Sequence, residues 1–274
     1  MPELPEVETI RQQLIRPLPL TILTVEMSSV VGSLLKPQNH QFSPVGMTLK
    51  NILRKGKLMT MVFDEDHYLL SHFGMSGGWR LSPNKILEKH THLQFKCETK
   101  NRETLYLAFV DPRRFGHLFF FNKENAEKKW NELGVDISTP EFTYEYLKSV
   151  LKRFPEKQLK PFLLDQKYFA GVGNYIASEI CARAGIRPTR RNKLIRDAEI
   201  HKIITATKIV IDGTLKTNGT TFSGGYADAS GEKGLGVQHL VVFYQETCQL
   251  CHKTPVTKII LAQRGTYYCP SCQK

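Results

Sequence analysis

Four cysteines close to the C-terminal end carry the most specific chemical signal in this 274-residue sequence. Cys248 and Cys251 form one C-x2-C pair, Cys269 and Cys272 a second, and residues 252–268 lie between them. Zinc takes four soft ligands in a tetrahedron, and each C-x2-C turn supplies two of them. Four protein ligands leave no open coordination position, so the expected ion is a single structural zinc. It would hold together a small terminal module that has little core of its own. Two disulfides are the alternative for the same cysteines. His252 fits less well as a ligand because it adjoins Cys251. At the other end, Pro2 follows the initiator methionine, and so small a residue generally allows Met1 to be removed. Pro2 would then be a secondary amine. A free α-amine titrates near ~7.7–8.0, so roughly a tenth is neutral at pH 7. A neutral amine attacks carbonyl-level carbon, and a prolyl nitrogen gives an iminium, a strong electron sink. Glu3 places a carboxylic acid beside it, with Glu6 and Glu8 close behind. Taken alone, the same residues also describe a helix start, with proline and acids suited to its first turn.

The elements that must position these groups differ along the chain. A first helix is expected from about Pro5 to Arg16, stopping at Pro17. Seven apolar segments follow: 22–27, 47–53, 58–63, 68–73, 93–97, 105–110 and 118–121. Several alternate, as Leu93, Phe95 and Cys97 do, and turn residues separate them, which predicts an antiparallel sandwich or flattened barrel. From Lys123 to about Thr217 the pattern turns helical. Ile200, Ile203, Ile204, Ile211 and Leu215 form a helical stripe, with Asp197 as its expected cap and Asn218-Gly219 as its stop. Thr217–Gly236 is rich in Gly, Ser and Thr and is expected to be a long mobile loop. Two strands, 256–261 and 264–268, should make a hairpin between the cysteine pairs. The resulting expectation is an α+β protein of three parts: residues 1–130, 131–237 and 238–274.

Composition narrows the partner. Lys and Arg number 38 against 26 Asp and Glu, a net charge of +12, and so basic a protein usually meets a polyanion. Apolar residues make up 41% of the chain, enough for a real core, which argues against disorder. No stretch approaches the ~18 apolar residues of a membrane span, and the acidic N-terminus lacks the features of a secretory signal. Cysteines in a metal pattern fit an intracellular, reducing setting, which would be the cytoplasm or nucleoid if the source is bacterial. Cys97 and Cys181 lie within apolar patterns and are expected to be buried fillers.

Six segments then combine: residues 1–9, Arg54-Lys55-Gly56-Lys57, His72-Phe73-Gly74-Met75-Ser76-Gly77, Asp111-Pro112-Arg113-Arg114-Phe115-Gly116, Gly171-Val172-Gly173-Asn174-Tyr175-Ile176-Ala177, and residues 263–272. Together and in order they resemble the formamidopyrimidine-DNA glycosylase family, which also contains endonuclease VIII. The resemblance implies an N-terminal β-sandwich flanked by helices, a helical part with a helix–two-turns–helix motif, and a C-terminal zinc-finger hairpin. It also implies binding of double-stranded DNA in a cleft, with the damaged nucleotide flipped out of the stack. By that resemblance the enzyme is a bifunctional DNA glycosylase and abasic-site lyase, removing oxidised purines and then cutting the strand by β,δ-elimination.

The resemblance also assigns roles. Pro2 is the nucleophile that forms the Schiff base, and Glu3 is the general acid that helps open the sugar ring. Lys57 assists β-elimination and holds a phosphate. Arg264 grips phosphates around the lesion and assists δ-elimination. Asn174 should open a helix and meet a phosphate, although a simple helix cap explains it too. Lys160, His72 and His90 match positions near the DNA backbone. Met75, Arg113 and Phe115 match the trio that fills the hole left by the flipped base, where Arg can pair with the orphaned cytosine. Ordinary packing is the alternative for Met75 and Phe115. The chain departs from the family at Phe154-Pro155-Glu156 and in Phe222-Ser223-Gly224-Gly225-Tyr226, so base contacts in that loop stay unassigned. Two other functions remain: an endonuclease VIII-type enzyme for oxidised pyrimidines, and a non-catalytic lesion-binding zinc protein. A monomer is expected.

Overall fold

The structure is a computed structural model that describes residues 2–35, 43–64, 66–222 and 225–274. The chain divides into two compact units: Met1–Glu132 with Thr217–Leu235, and Leu133–Lys216 with Gly236–Lys274.

The first unit begins with α1 (Leu4–Leu14), which starts one residue earlier and ends two residues earlier than the sequence predicts. Glu3 is its N-cap, and the Glu3 N–H donates to Glu6 Oε2 at 2.7 Å. Pro5 in the first turn forfeits no helical hydrogen bond. Leu4, Val7, Ile10 and Leu14 follow helical spacing and are fully buried. Eight strands follow: β1 (Leu20–Met27), β2 (Thr48–Lys55), β3 (Leu58–Phe63), β4 (His67–His72), β5 (Gly78–Ser82), β6 (Thr91–Thr99), β7 (Thr104–Val110) and β8 (His117–Asn122). Their order is β5-β7-β6-β1-β2-β3-β4-β8, and every neighbouring pair is antiparallel.

Seven of these strands coincide with the apolar segments of the sequence. β5 does not, because a five-residue strand that opens on glycine and carries Arg80 has too short an alternation to stand out. β1 pairs with β6 along its length but with β2 only at Leu20 and Thr21, so two four-stranded halves part at this joint. One apolar cluster draws Trp79, Phe95 and Phe109 from one half and Met61, Leu69 and Phe120 from the other. Between the halves, Trp79 Nε1 donates to Ser71 Oγ at 3.1 Å, giving the buried indole N–H its partner. The sheet is therefore folded over a single core as a sandwich.

Helix α2 (Lys123–Asn131) closes this unit, capped by Asn122, whose Oδ1 accepts the Asn125 N–H at 3.0 Å. The segment Thr217–Leu235 also belongs here, not with the helices where the sequence grouping put it. Its attachments are specific. Glu6 Oε1 accepts the Thr220 N–H at 2.7 Å, Gln13 bonds both Asp228 and the Ala229 N–H at 2.7 Å, and Tyr226 and Ala229 join the core. A composition that suggests mobility thus has anchors on α1. Residues 223 and 224, which fall where base contacts were left open, lie outside the described residues.

The second unit holds a two-residue parallel pair, β9 (Val135–Asp136) with β10 (Phe169–Ala170). Its helices are α3 (Tyr144–Arg153), α4 (Leu159–Leu163), α5 (Asn174–Arg183) and α6 (Asp197–Leu215). α6 begins one residue earlier than expected. Arg196 is its N-cap and donates its N–H to Glu199 Oε2 at 2.9 Å, while Asp197 pairs with Lys148 at 2.7 Å. Asn218 and Gly219 adopt left-handed φ of 57° and 81° after the helix, where Asn-Gly was expected to stop it. β11 (Thr257–Leu261) and β12 (Arg264–Tyr268) form the hairpin. Glu179 on α5, fully buried, accepts the N–H groups of Val241, Val242 and Phe243 at 2.7–2.9 Å and fixes the approach to that hairpin. Among the described residues no helix is long and apolar enough to cross a membrane.

Candidate functional site

Pro2 and Glu3 stand at the start of α1, both buried, with Glu3 3% exposed. A chain of polar bonds runs from this helix to Lys57. Glu8 accepts from Arg11 Nη2 at 2.7 Å and from Arg54 Nε at 2.8 Å. Arg54 Nη1 then donates to the Gly56 carbonyl at 3.0 Å. Burial alone would raise the Glu8 carboxyl, but the hydrogen bonds and charges of the two arginines outweigh it and hold it below the usual value. Gly56 and Lys57 form the two-residue turn between β2 and β3, with Lys55 opposite Leu58. Gly56 takes φ 59° at the first central position, where a II′ turn calls for glycine.

Lys57 is 8% exposed and precedes Leu58, which pairs with His72 on β4. The His72 imidazole is lowered to about 4, first by burial and then by the charges of Lys57, His117 and Lys129. His72 Nδ1 accepts the Gly74 N–H at 3.2 Å, so the proton of the neutral ring sits on Nε2. His72 is therefore a neutral Nε2 donor that feels the charge of Lys57.

Met75, Arg113 and Phe115 occupy two adjoining loops and are all exposed. The Arg113 guanidinium carbon lies 5.0 Å from the centre of the Phe115 ring, a cation–π contact. A Cβ on Gly74 would stand 2.3 Å from the Phe115 backbone, so the loops approach as closely as they do because residue 74 has none. His90 is exposed at φ 71°, and its carbonyl accepts the Asp111 N–H at 3.1 Å. Its neighbour His92 is buried instead, with Nδ1 3.0 Å from Ser28 Oγ and Nε2 3.1 Å from the Asp111 carbonyl. Of this pair, only His90 presents its ring to solvent.

In the second unit, Lys160 is 1% exposed, and its ammonium donates to Asn174 Oδ1 at 2.6 Å and Thr266 Oγ1 at 2.8 Å. Asn174 Nδ2 donates to the Gly265 carbonyl at 2.9 Å. Lys160 is thus a strut joining α4, the start of α5 and β12, rather than a solvent-facing cation. Asn174 is the first residue of α5, and the N-cap is Gly173, so its side chain is committed to the hairpin and not to capping. Arg264, the neighbour of Gly265, is exposed at the start of β12. The turn before it, Ala262-Gln263, has φ 47° and 59°, the sign pattern of a I′ turn built without glycine.

The four cysteine sulfurs lie within 4.8 Å of one another, with Cys248–Cys272 and Cys251–Cys269 each at 4.0 Å. A disulfide needs about 2.05 Å, so the cysteines are not bonded in pairs. A sulfur tetrahedron around zinc at about 2.3 Å has edges of about 3.8 Å, and the cluster fits that size. Backbone N–H groups of Lys253 and Thr254 lower the Cys251 thiol to about 6, whereas burial raises the Cys248 thiol and, with the neighbouring thiols, pushes Cys272 up to about 12, so the sulfur geometry rather than the thiol acidities carries the metal reading. Cys97 and Cys181 are pushed up to about 12 by burial, as befits inert packing thiols.

Sequence reasoning named the candidate nucleophile, acid, phosphate and base contacts and metal ligands described above, but not His117 and Lys129, whose charges act on His72. It gave no role to Glu8, Arg54, Ser76, Asp111 or Thr266, which hold those groups in place. Arg54, Ser76 and Asp111 stood in quoted motifs, but their partners lie 35–46 residues away, and no local pattern announces such pairs.

Comparison with known proteins agrees along the whole chain. Residues 1–118 match the formamidopyrimidine-DNA glycosylase N-terminal domain family, and residues 133–224 match the formamidopyrimidine-DNA glycosylase H2TH domain family. The formamidopyrimidine-DNA glycosylase of Listeria innocua is 35% identical, with 100% of each chain covered. The structure of MutM in complex with carbocyclic 8-oxo-G containing DNA superposes with a TM-score of 0.86 at 27% identity, covering 100% of both chains. Lactococcus lactis Fpg (MutM) has been solved with N7-benzyl-Fapy-dG containing DNA, with a TM-score of 0.86 at 28% identity and 100% of both chains covered. The same Lactococcus protein has been solved with oxidised-pyrimidine containing DNA, with a TM-score of 0.85. On these grounds the chain belongs to the formamidopyrimidine-DNA glycosylase family.

Proposed function

We propose that this protein is a base-excision repair enzyme, a DNA glycosylase and abasic-site lyase that removes oxidised purines from duplex DNA. Full-length likeness to named glycosylases carries the reading, since it runs through residues 1–9 and the cysteine cluster alike. With Met1 removed, the Pro2 nitrogen attacks the sugar carbon that bears the flipped base. The base leaves, and an iminium joins Pro2 to the sugar. Glu3 protonates the sugar oxygen as the ring opens. The iminium acidifies the next sugar carbon, and loss of that proton expels the 3′ phosphate; loss of a second proton, from the 4′ carbon of the conjugated product, then expels the 5′ phosphate.

Lys57 stabilises charge on a departing phosphate, held at its turn by Arg54 and Glu8. His72, neutral beside it, donates from Nε2, and His90 adds a second donor at the backbone. Arg264 grips the phosphates flanking the lesion, with Asn174 beside it, and Lys160 sets the orientation of the Asn174 amide. Met75 and Phe115 replace the lost stacking while Arg113 meets the orphaned base. One structural zinc, held by Cys248, Cys251, Cys269 and Cys272, keeps the Arg264 hairpin folded and takes no part in the chemistry. Pro2, Glu3 and Lys57 lie within residues 1–132, Arg264 on the hairpin assists the second elimination, the helical part supplies DNA contacts, and one chain acts as a monomer on DNA inside the cell.

A substrate panel tests the reading. Duplexes carrying 8-oxoguanine opposite cytosine should be cut to a one-nucleotide gap with phosphate on both flanking ends. Faster cutting at an oxidised pyrimidine would move the protein to the endonuclease VIII side of the family. Binding without cutting on either would favour a lesion-binding protein.

A further inference from the structure

Two loops must keep a fixed relation if Met75, Arg113 and Phe115 are to enter DNA together, and one buried carboxylate joins them. Asp111 is fully buried. Its Oδ1 accepts the Ser76 hydroxyl at 2.8 Å, and its Oδ2 accepts the Gly116 N–H at 2.7 Å. Ser76 Oγ in turn accepts the Arg113 N–H at 3.2 Å. The carboxylate therefore spans from the residue after Met75 to the residue after Phe115, with Arg113 held on the same hydroxyl.

The backbone of Asp111 is fixed as well. Its N–H donates to the His90 carbonyl, and its carbonyl lies 3.1 Å from Nε2 of the buried His92. Gly116 leaves no slack, because a Cβ there would meet Phe109 at 2.9 Å and Asp111 Oδ2 at 3.0 Å. Three exposed side chains thus rest on one buried, charge-assisted hydrogen-bond network.

We infer that Asp111, acting through Ser76, is a positioning residue that sets opposite-base specificity by fixing Arg113 and Phe115 against Met75. The inference rests on the glycosylase reading above. An arginine that reads an orphaned base discriminates only if its guanidinium is held in one place. Loosening the loops should then cost selectivity between opposing bases more than it costs chemistry at the sugar.

The test measures single-turnover excision of 8-oxoguanine opposite cytosine and opposite adenine. The enzymes are full-length wild type, Asp111→Asn, Ser76→Ala and Ser76→Thr, each first checked for folding by circular dichroism. The cytosine-over-adenine ratio should fall about tenfold in Asp111→Asn and Ser76→Ala, near the lower end of what one bidentate base contact supplies. Ser76→Thr, which keeps the hydroxyl, should restore it. An unchanged ratio in Ser76→Ala overturns the inference, as does a wild-type enzyme that excises equally opposite both bases. If Asp111→Asn fails to fold, the two Ser76 variants decide. A wild-type enzyme inactive on both duplexes contradicts the glycosylase reading itself, a result distinct from an active enzyme whose variants keep its selectivity.

Discussion

Neutrality of one imidazole links the interior of the site to pH. His72 ordinarily titrates near 6.5 and is lowered to about 4 in the folded protein, mainly by burial and then by the Lys57 charge. Between those values the unfolded chain binds a proton that the folded chain refuses. The contribution of His72 to stability is therefore complete above about pH 6.5 and lost as pH falls toward 4. A gap of this size is worth up to about 3 kcal/mol. His72→Gln should show a shallower fall in melting temperature across that window than the parent protein, and equal slopes would contradict the assignment. Chemistry was legible at this scale because the cysteine spacing and the Pro2-Glu3 pair are local in sequence. The commitment of Lys160 to Asn174 and Thr266 was not, since a lysine in a basic protein looks like a phosphate ligand until its burial is known.

At the scale of elements, α1 and the β2–β3 turn are joined by Glu8, Arg54 and the Gly56 carbonyl. Arg54→Ala removes a charged hydrogen-bond donor from a mostly buried carboxylate, although Arg11 remains. The expected loss is about 1.5–3 kcal/mol, measured by urea denaturation. An effect below about 0.5 kcal/mol would show that the bridge is only a surface pair. The apolar alternation located seven of eight strands, because those strands each have one face in a common core. It missed β5, which is too short for its period to register, and placed the α6 cap one residue late. Asp197 has the side chain of a good cap, but the Glu199 side chain satisfies the Arg196 N–H and moves the boundary.

Over the whole molecule, the sequence shows a change from strands to helices near Lys123, and the two compact units divide at Glu132 and Leu133. It gives no sign that Thr217–Leu235 returns to the N-terminal unit. That return depends on Glu6 and Gln13, more than 200 residues away, and on two buried side chains in a stretch whose composition resembles a free loop. The return also gives α1 a polar tie to the chain far downstream, beginning three residues after the Glu3 cap. A net charge of +12 and an exposed Arg264 suit a polyanionic partner, but charge alone does not separate a repair enzyme from a DNA-binding protein. The central claim is that Pro2 is the nucleophile, and borohydride trapping tests it most directly. The protein is incubated with borohydride and a duplex carrying 8-oxoguanine opposite cytosine, and the adduct is mapped by mass spectrometry. A covalent link at the Pro2 nitrogen, with Met1 absent, is the predicted result. A reduced adduct on a lysine, or none on this duplex, on an oxidised-pyrimidine duplex and on an abasic site with DNA binding intact, would contradict it.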